Sequence, residues 1–182
     1  MSRKTTPGQY DAAALERAAV HYLERFSSSA ANLRRVLERK MRRRVPDDGE
    51  MPPNAGAMID AVIAKAIAQG WIDDAAYAAQ KARSLHRRGA SLRTIRQTLG
   101  LKGVETDIQA DALERLQEEK GAPLDKAAAL ALARRRKLGP FRRPEDREAH
   151  RDRDMAVLGR AGFPYDLVRK IIMAMDPDAL DD

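Results

Sequence analysis

Residues 70–113 read GWIDDAAYAAQKARSLHRRGASLRTIRQTLGLKGVETDIQADAL, three helices in a row, each with a start and a stop. Asp73 and Asp74 can cap the first helix, which carries Tyr77, Lys81 and Leu85 along one face, and Gly89 ends it. Ser91 caps the second, with Leu92, Ile95 and Leu99 at helical spacing, and Gly103 ends that one. The third starts near Glu105 and turns Ile108, Ala112 and Leu116 inward. Asp and Ser work at a helix start because the first turn leaves backbone N–H groups without partners, and their side-chain oxygens accept from them. Glycine works at the far end because the chain leaves in a left-handed conformation that costs other residues energy.

The same order recurs on both sides. Residues 1–10 are polar, contain Pro7 and Gly8, and are expected to be disordered. A helix over about 11–25 places Leu15, Ala18, Tyr22 and Phe26 on one face. Residues 27–29 break it and offer an N-cap to a helix over 30–43 that buries Leu33, Val36, Leu37 and Met41. The stretch 45–56 holds three prolines and reads as a loop, since proline removes a donor and clashes with the preceding turn. A helix over 57–69 follows, with Ile59, Val62, Ile63 and Ala66 inward. Past Gly121 and Pro123, a helix over 124–138 stops at Gly139-Pro140, and Pro144 opens the next helix, with Met155 and Leu158 inward. The last helix, about 165–175, buries Leu167, Val168, Ile171 and Ile172.

Two junctions superpose at a constant offset of 59: Leu99, Gly103, Val104 and Ile108 on Leu158, Gly162, Phe163 and Leu167. In each, an apolar residue precedes a helix-stopping glycine, an apolar residue just past it packs back, and the next helix begins. The spacing predicts an all-α fold of three tandem three-helix repeats, 11–70, 71–120 and 121–175, followed by an acidic tail over 176–182. Units this small bury little alone, so three small cores packed on their neighbours are expected, in an elongated molecule that could curve. Trp71 and Ile72 fall between the first two repeats, where the expected role of Trp71 is to plug the joint.

Of the 182 residues, 34% are charged, 43% hydrophobic and 4% aromatic, with a net charge of +7. The low aromatic content favours helices with thin cores over a sandwich or barrel. The absence of cysteine excludes disulfides, thiolate nucleophiles and cysteine-based zinc sites. His21, His86 and His150 lack ligand spacing, and no phosphate loop, GxSxG elbow or HExxH motif occurs. Neither an enzyme nor a cofactor is expected. No apolar run spans a membrane and no signal core opens the chain, so the cytoplasm is expected; a monomer is expected as well.

The basic residues carry the functional signal. Arg34, Arg35, Arg39, Lys40 and Arg42–Arg44 crowd residues 29–44 with one acid, Glu38. Arg83, Arg87, Arg88, Arg93, Arg96 and Lys102 occupy 83–102 with none. Arg134, Arg135, Arg136, Lys137, Arg142, Arg143, Arg147, Arg151 and Arg153 follow over 134–153. Arginine suits bidentate contacts to phosphate or carboxylate, and three patches in register would make one stripe for a polyanion. The alternative for any one patch is a solvated face. Residues 105–125 carry a net charge of −5 and could orient the molecule, touch a basic protein, or solubilise a helix.

GWIDDAAYA (70–78), RSLHRRGASLRTIRQTLGLKGV (83–104) and RAGFPYDLV (160–168) resemble the RecX family, regulators of the bacterial recombinase RecA, over roughly residues 11–175. The first repeat departs from the family pattern where the proline-rich loop replaces the glycine turn. The resemblance implies three three-helix repeats. It also implies a non-enzymatic protein that binds RecA filaments on DNA, lies in their groove, inhibits strand exchange, ATP hydrolysis and coprotease function, and binds DNA itself. Carried over by position, Asp74, Tyr77, Gly89, Ile95, Leu99, Gly103, Gly162 and Phe163 are architecture, and Arg83 and Lys102 are contacts. Two other readings stay open: a stand-alone protein for single- or double-stranded DNA using the arginine stripe, and an adaptor using the acidic helix.

Overall fold

The computed structural model describes residues 11–46, 49–121, 123–177 and 180; the expected disorder of 1–10 and most of the tail 176–182 lie outside them. The described residues form nine α-helices and no strand. These are α1 (Ala12–Leu23), α2 (Ala30–Arg42), α3 (Ala55–Ala68), α4 (Asp74–Arg87), α5 (Leu92–Leu101), α6 (Thr106–Lys120), α7 (Leu124–Arg136), α8 (Arg147–Arg160) and α9 (Tyr165–Ile172). Two 3-10 turns, Gly139–Phe141 and Pro144–Asp146, lead into α8. Among the described residues, no helix is long and apolar enough to cross a membrane.

Several boundaries differ from the sequence reading, and for α3 and α7 the backbone bonds give the reason. α3 begins at Ala55, inside the supposed loop, because the Ala55 N–H bonds the Pro52 carbonyl at 2.9 Å and starts the turn early. α7 stops at Arg136 rather than at Gly139-Pro140. Lys137 takes the left-handed conformation (φ 53°), and the Leu138 N–H closes back on the Ala133 carbonyl at 2.9 Å. α9 ends at Ile172, leaving Met175 exposed.

The chain divides into two compact units, one running through Tyr77 and including Lys102–Glu105, the other comprising Ala78–Leu101 and the residues from Thr106 on. In the first, α1, α2 and α3 enclose Leu15, Leu33, Leu37, Met41, Ile59 and Val62. In the second, α7, α8 and α9 enclose Ala129, Leu132, Leu158, Phe163, Val168 and Ile171, and Ala82, Ile95, Leu99 and Leu116 are buried on α4–α6. One aromatic assignment is corrected: Trp71 is 40% exposed and is not the buried plug expected, whereas Ile72, its neighbour, is buried. Phe26 lies past the end of α1 on the face of Tyr22, the rings tilted at 5.1 Å, and is exposed. Tyr77 is buried, and that burial, with smaller effects from Tyr22 and Asp74, raises its pKa.

One polar device occurs once in each unit. Ser29 caps α2, accepting from the Asn32 N–H at 3.2 Å while its hydroxyl donates to the Lys102 carbonyl. Ser91 caps α5, accepting from the Thr94 N–H at 3.2 Å and donating to the Ala161 carbonyl at 2.7 Å. Each of those carbonyls directly precedes a left-handed glycine, Gly103 (φ 74°) and Gly162 (φ 89°). A second acceptor completes each helix start: Asp74 takes the Ala30 N–H at 2.8 Å, and Asp125 takes the Leu92 N–H at 2.8 Å. The sequence reading assigned both Asp73 and Asp74 to α4. Only Asp73 caps it, accepting from the Ala76 N–H at 2.9 Å, while Asp74 serves α2. Asp125→Ala should therefore cost about 0.5–2 kcal/mol, the usual effect of removing an N-cap. A chemical denaturation midpoint equal to wild type would show that α5 does not need this second cap.

The glycines complete the device. A Cβ on Gly103 would fall on the Ala31 Cβ, and one on Gly162 would stand 2.7 Å from the Ser91 Oγ. Close packing against the start of the capped helix, Ala31 in one case and Ser91 in the other, therefore excludes any side chain at these corners, over and above the backbone conformation.

Candidate nucleic-acid interface

The arginines and lysine singled out in the sequence separate into two groups. In the first unit, Arg34 pairs with Asp60 on α3 and lies 3.8 Å from Glu38. Arg35 folds onto the Ala31 carbonyl at 3.3 Å, and Lys102 reaches the Asn32 Oδ1 at 3.3 Å. In the second, Arg83 pairs with Glu119 at 2.7 Å, so the segment that lacks acids in sequence meets one in space. Arg88 bonds the Ser84 hydroxyl at 2.8 Å, Arg135 bonds the Arg88 carbonyl at 3.3 Å, and Arg134 stands over the Phe141 ring at 5.5 Å.

Among the described residues, Arg39, Arg87, Arg93, Arg96 and Arg136 are exposed and make no side-chain hydrogen bond or ion pair. A guanidinium without an internal partner keeps all its donors for an external anion. The Arg135 to Arg88 bond also brings the end of α7 to the end of α4. Two patches 47 residues apart, Arg87-Arg88 and Arg134–Arg136, thereby become neighbours.

Arg142 and Arg147, counted with the third patch in the sequence, are fold residues. Arg142 grips Asp154 with two bonds, Nε to Oδ2 at 3.1 Å and an Nη to Oδ1 at 2.9 Å, and Gly139 N–H adds a third at 2.9 Å. Asp154 is 1% exposed. Its hydrogen bonds raise the Arg142 pKa above the usual arginine value. Arg147 donates to the carbonyls of Arg142, Pro140 and Met175, tying the first 3-10 turn and the segment past α9 to the start of α8. The acidic segment is also partly absorbed: Glu119 and Asp125 are engaged within the second unit.

The sequence reading passed over Ser29 as part of a repeated device and passed over Asp154 altogether. Both left a signal. Ser29, Leu33, Arg34 and Leu37 superpose on Ser91, Ile95, Arg96 and Leu99 at a constant offset of 62. Extending the 59-residue junction offset backwards places Asp154 on Ile95, a carboxylate where the preceding repeat has a core residue.

This framework has relatives among known proteins. A family model described as "RecX, second three-helix domain" matches residues 73–113. A regulatory protein RecX from Myxococcus xanthus is 41% identical over 163 residues, covering 87% of this chain and 83% of the relative. One from Agrobacterium fabrum is 30% identical over 164 residues, covering 90% and 84%. A crystal structure of RecX from Lactobacillus salivarius superposes with a TM-score of 0.64 at 21% identity, covering 90% of this chain and 96% of that one.

Proposed function

This chain belongs to the RecX family of regulatory proteins, and from that premise we propose that it binds the RecA–DNA filament and inhibits its recombinase, ATPase and coprotease activities. It acts by occupying the filament, as a cytoplasmic monomer with no chemistry of its own. The observation that carries the reading is the set of arginines without internal partners, Arg39 on α2, Arg87 on α4, Arg93 and Arg96 on α5, and Arg136 at the end of α7. Contacts spread over several helices of one chain suit a ligand that repeats, because each later contact forms at high effective concentration. Mixing the protein with recombinase, single-stranded DNA and ATP tests the proposal. ATP turnover should fall as the protein saturates, and unchanged turnover would reject it.

The stand-alone DNA-binding reading draws on the same arginines and differs in its preference. It requires similar affinity for bare DNA and for filament. Replacing Arg87, Arg93, Arg96 and Arg136 by Ala is expected to change the unfolding free energy by no more than about 0.5 kcal/mol per substitution, since exposed unpaired charges contribute little to stability. Binding should weaken, with the log–log salt slope on duplex DNA falling by about 0.9 for each phosphate that the variant no longer neutralises. An unchanged salt slope would remove these four residues from the interface. Arg83→Ala, which frees Glu119 instead, serves as the contrast.

A further inference from the structure

Resting on the reading that this chain engages nucleic acid, we propose that the corner between α8 and α9 is a base-stacking site for single-stranded nucleic acid. The ring of Tyr165 takes the base, and Arg93, Arg160 and Arg169 hold the phosphates on either side.

Tyr165 is the first residue of α9 and is 67% exposed, more than any other aromatic among the described residues. Its hydroxyl bonds nothing in the protein. It contributes nothing to the core, whose place at this corner is filled by Phe163 two residues earlier. An exposed ring of this kind offers a flat apolar face to a flat ligand.

The cations are assembled around it by the fold. Ser91 and Thr94 both donate to the Ala161 carbonyl, at 2.7 and 3.0 Å, and so pin the start of α5 to the corner. A Cβ on Gly162 would lie 3.6 Å from the Arg93 Cβ, so the stem of Arg93 runs beside the turn. Arg160 closes α8 two residues before that glycine. Arg169 follows Tyr165 by one turn, on the same face of α9. All three arginines are exposed and have no ion pair within the protein. Two acids lie near the corner: Asp166, exposed in the first turn of α9, and Asp125, whose carboxylate is engaged by the Leu92 N–H at 2.8 Å.

Cations alone would bind any polyanion. The ring adds a preference, because a base in a duplex has both faces covered and a base in a single strand does not. Stacking on an aromatic side chain accepts any base, whereas the arginines track the backbone. The corner therefore selects single strands without selecting sequence.

The test compares fluorescence anisotropy of two labelled probes, a deoxythymidine oligomer and an abasic oligomer of the same length, with the full chain and no recombinase. Wild type should bind the deoxythymidine oligomer about fivefold to a hundredfold more tightly. Tyr165→Ala should erase that preference and Tyr165→Phe should keep it. Arg93→Ala, Arg160→Ala and Arg169→Ala together should weaken both probes alike. Equal affinity of wild type for the two probes, no binding to either, or a preference that survives in Tyr165→Ala would each overturn the proposal. Inhibition of ATP turnover is read separately. If it persists while the base preference is absent, the stacking site fails and the filament reading stands; if it is absent too, both fail.

Discussion

Gly103→Val is expected to be among the most damaging single substitutions in this chain. Two costs add at the same atom. The backbone is left-handed (φ 74°), which disfavours any side chain, most of all a β-branched one. The new Cβ also falls on the Ala31 Cβ, at the start of α2 where Ser29 holds the Lys102 carbonyl. Strain and overpacking together come to roughly 2–5 kcal/mol, a large part of the roughly 5–15 kcal/mol that holds an average domain. Urea unfolding followed by circular dichroism should show a midpoint well below wild type. Gly103→Ala combined with Ala31→Gly separates the two costs, since it removes the clash and keeps the conformation; it should recover part of the loss of Gly103→Ala alone. Gly159→Ala is the control. That glycine lies inside α8 with open space around it and should gain about 0.4–1 kcal/mol. A Gly103→Val protein that unfolds like wild type would contradict the packing of this corner.

Asp154→Ala should cost about 3–5 kcal/mol, because it strands Arg142 without its partner and leaves the Gly139 N–H unbonded in a buried setting. The better-posed experiment restores an apolar pair. Asp154 occupies the place that Ile95 fills in the preceding repeat, so Asp154→Leu with Arg142→Met should recover most of the loss. Recovery should be incomplete, since the Gly139 N–H still lacks an acceptor, which costs about 1–3 kcal/mol. Thermal unfolding of the wild type, the single variants and the double variant forms the cycle. Additive losses would mean that Arg142 and Asp154 do not act as a pair.

Helix content and order were legible in the sequence because they rest on local chemistry. Ser29, Ser91 and Asp73 cap the helices they precede, and their bonds run only three residues ahead. The apolar spacing of Leu33 and Leu37, or of Ile95 and Leu99, gives the buried face of each helix directly. The candidate interface was less legible. Arg34, Arg83 and Arg142 look like neighbouring arginines in sequence, yet Asp60, Glu119 and Asp154 engage them from 26, 36 and 12 residues away. Charge counted along a chain ignores partners that arrive from other helices, and those partners decide which cations remain for a ligand. Trp71 shows the same limit for apolar residues. Its position between repeats suggested burial, but the buried side chain is Ile72, one residue on and turned the other way.

Local chemistry is enough to make this chain all helix, repeated in threes, basic and built with glycine corners at Gly103 and Gly162. Each of those properties is set within a few residues, by caps, periodicity and the conformational freedom of glycine, and so each could be read from the sequence. The folded arrangement was needed to show that Asp74 and Asp125 close helices other than their own. It was also needed to separate Arg93 and Arg96, which are free, from Arg83 and Arg142, which are bound within the fold. Hydrogen bonds and ion pairs between distant segments depend on where side chains meet in space; two of those meetings, Ser29 with the Lys102 carbonyl and Ser91 with the Ala161 carbonyl, fall beside the glycine corners.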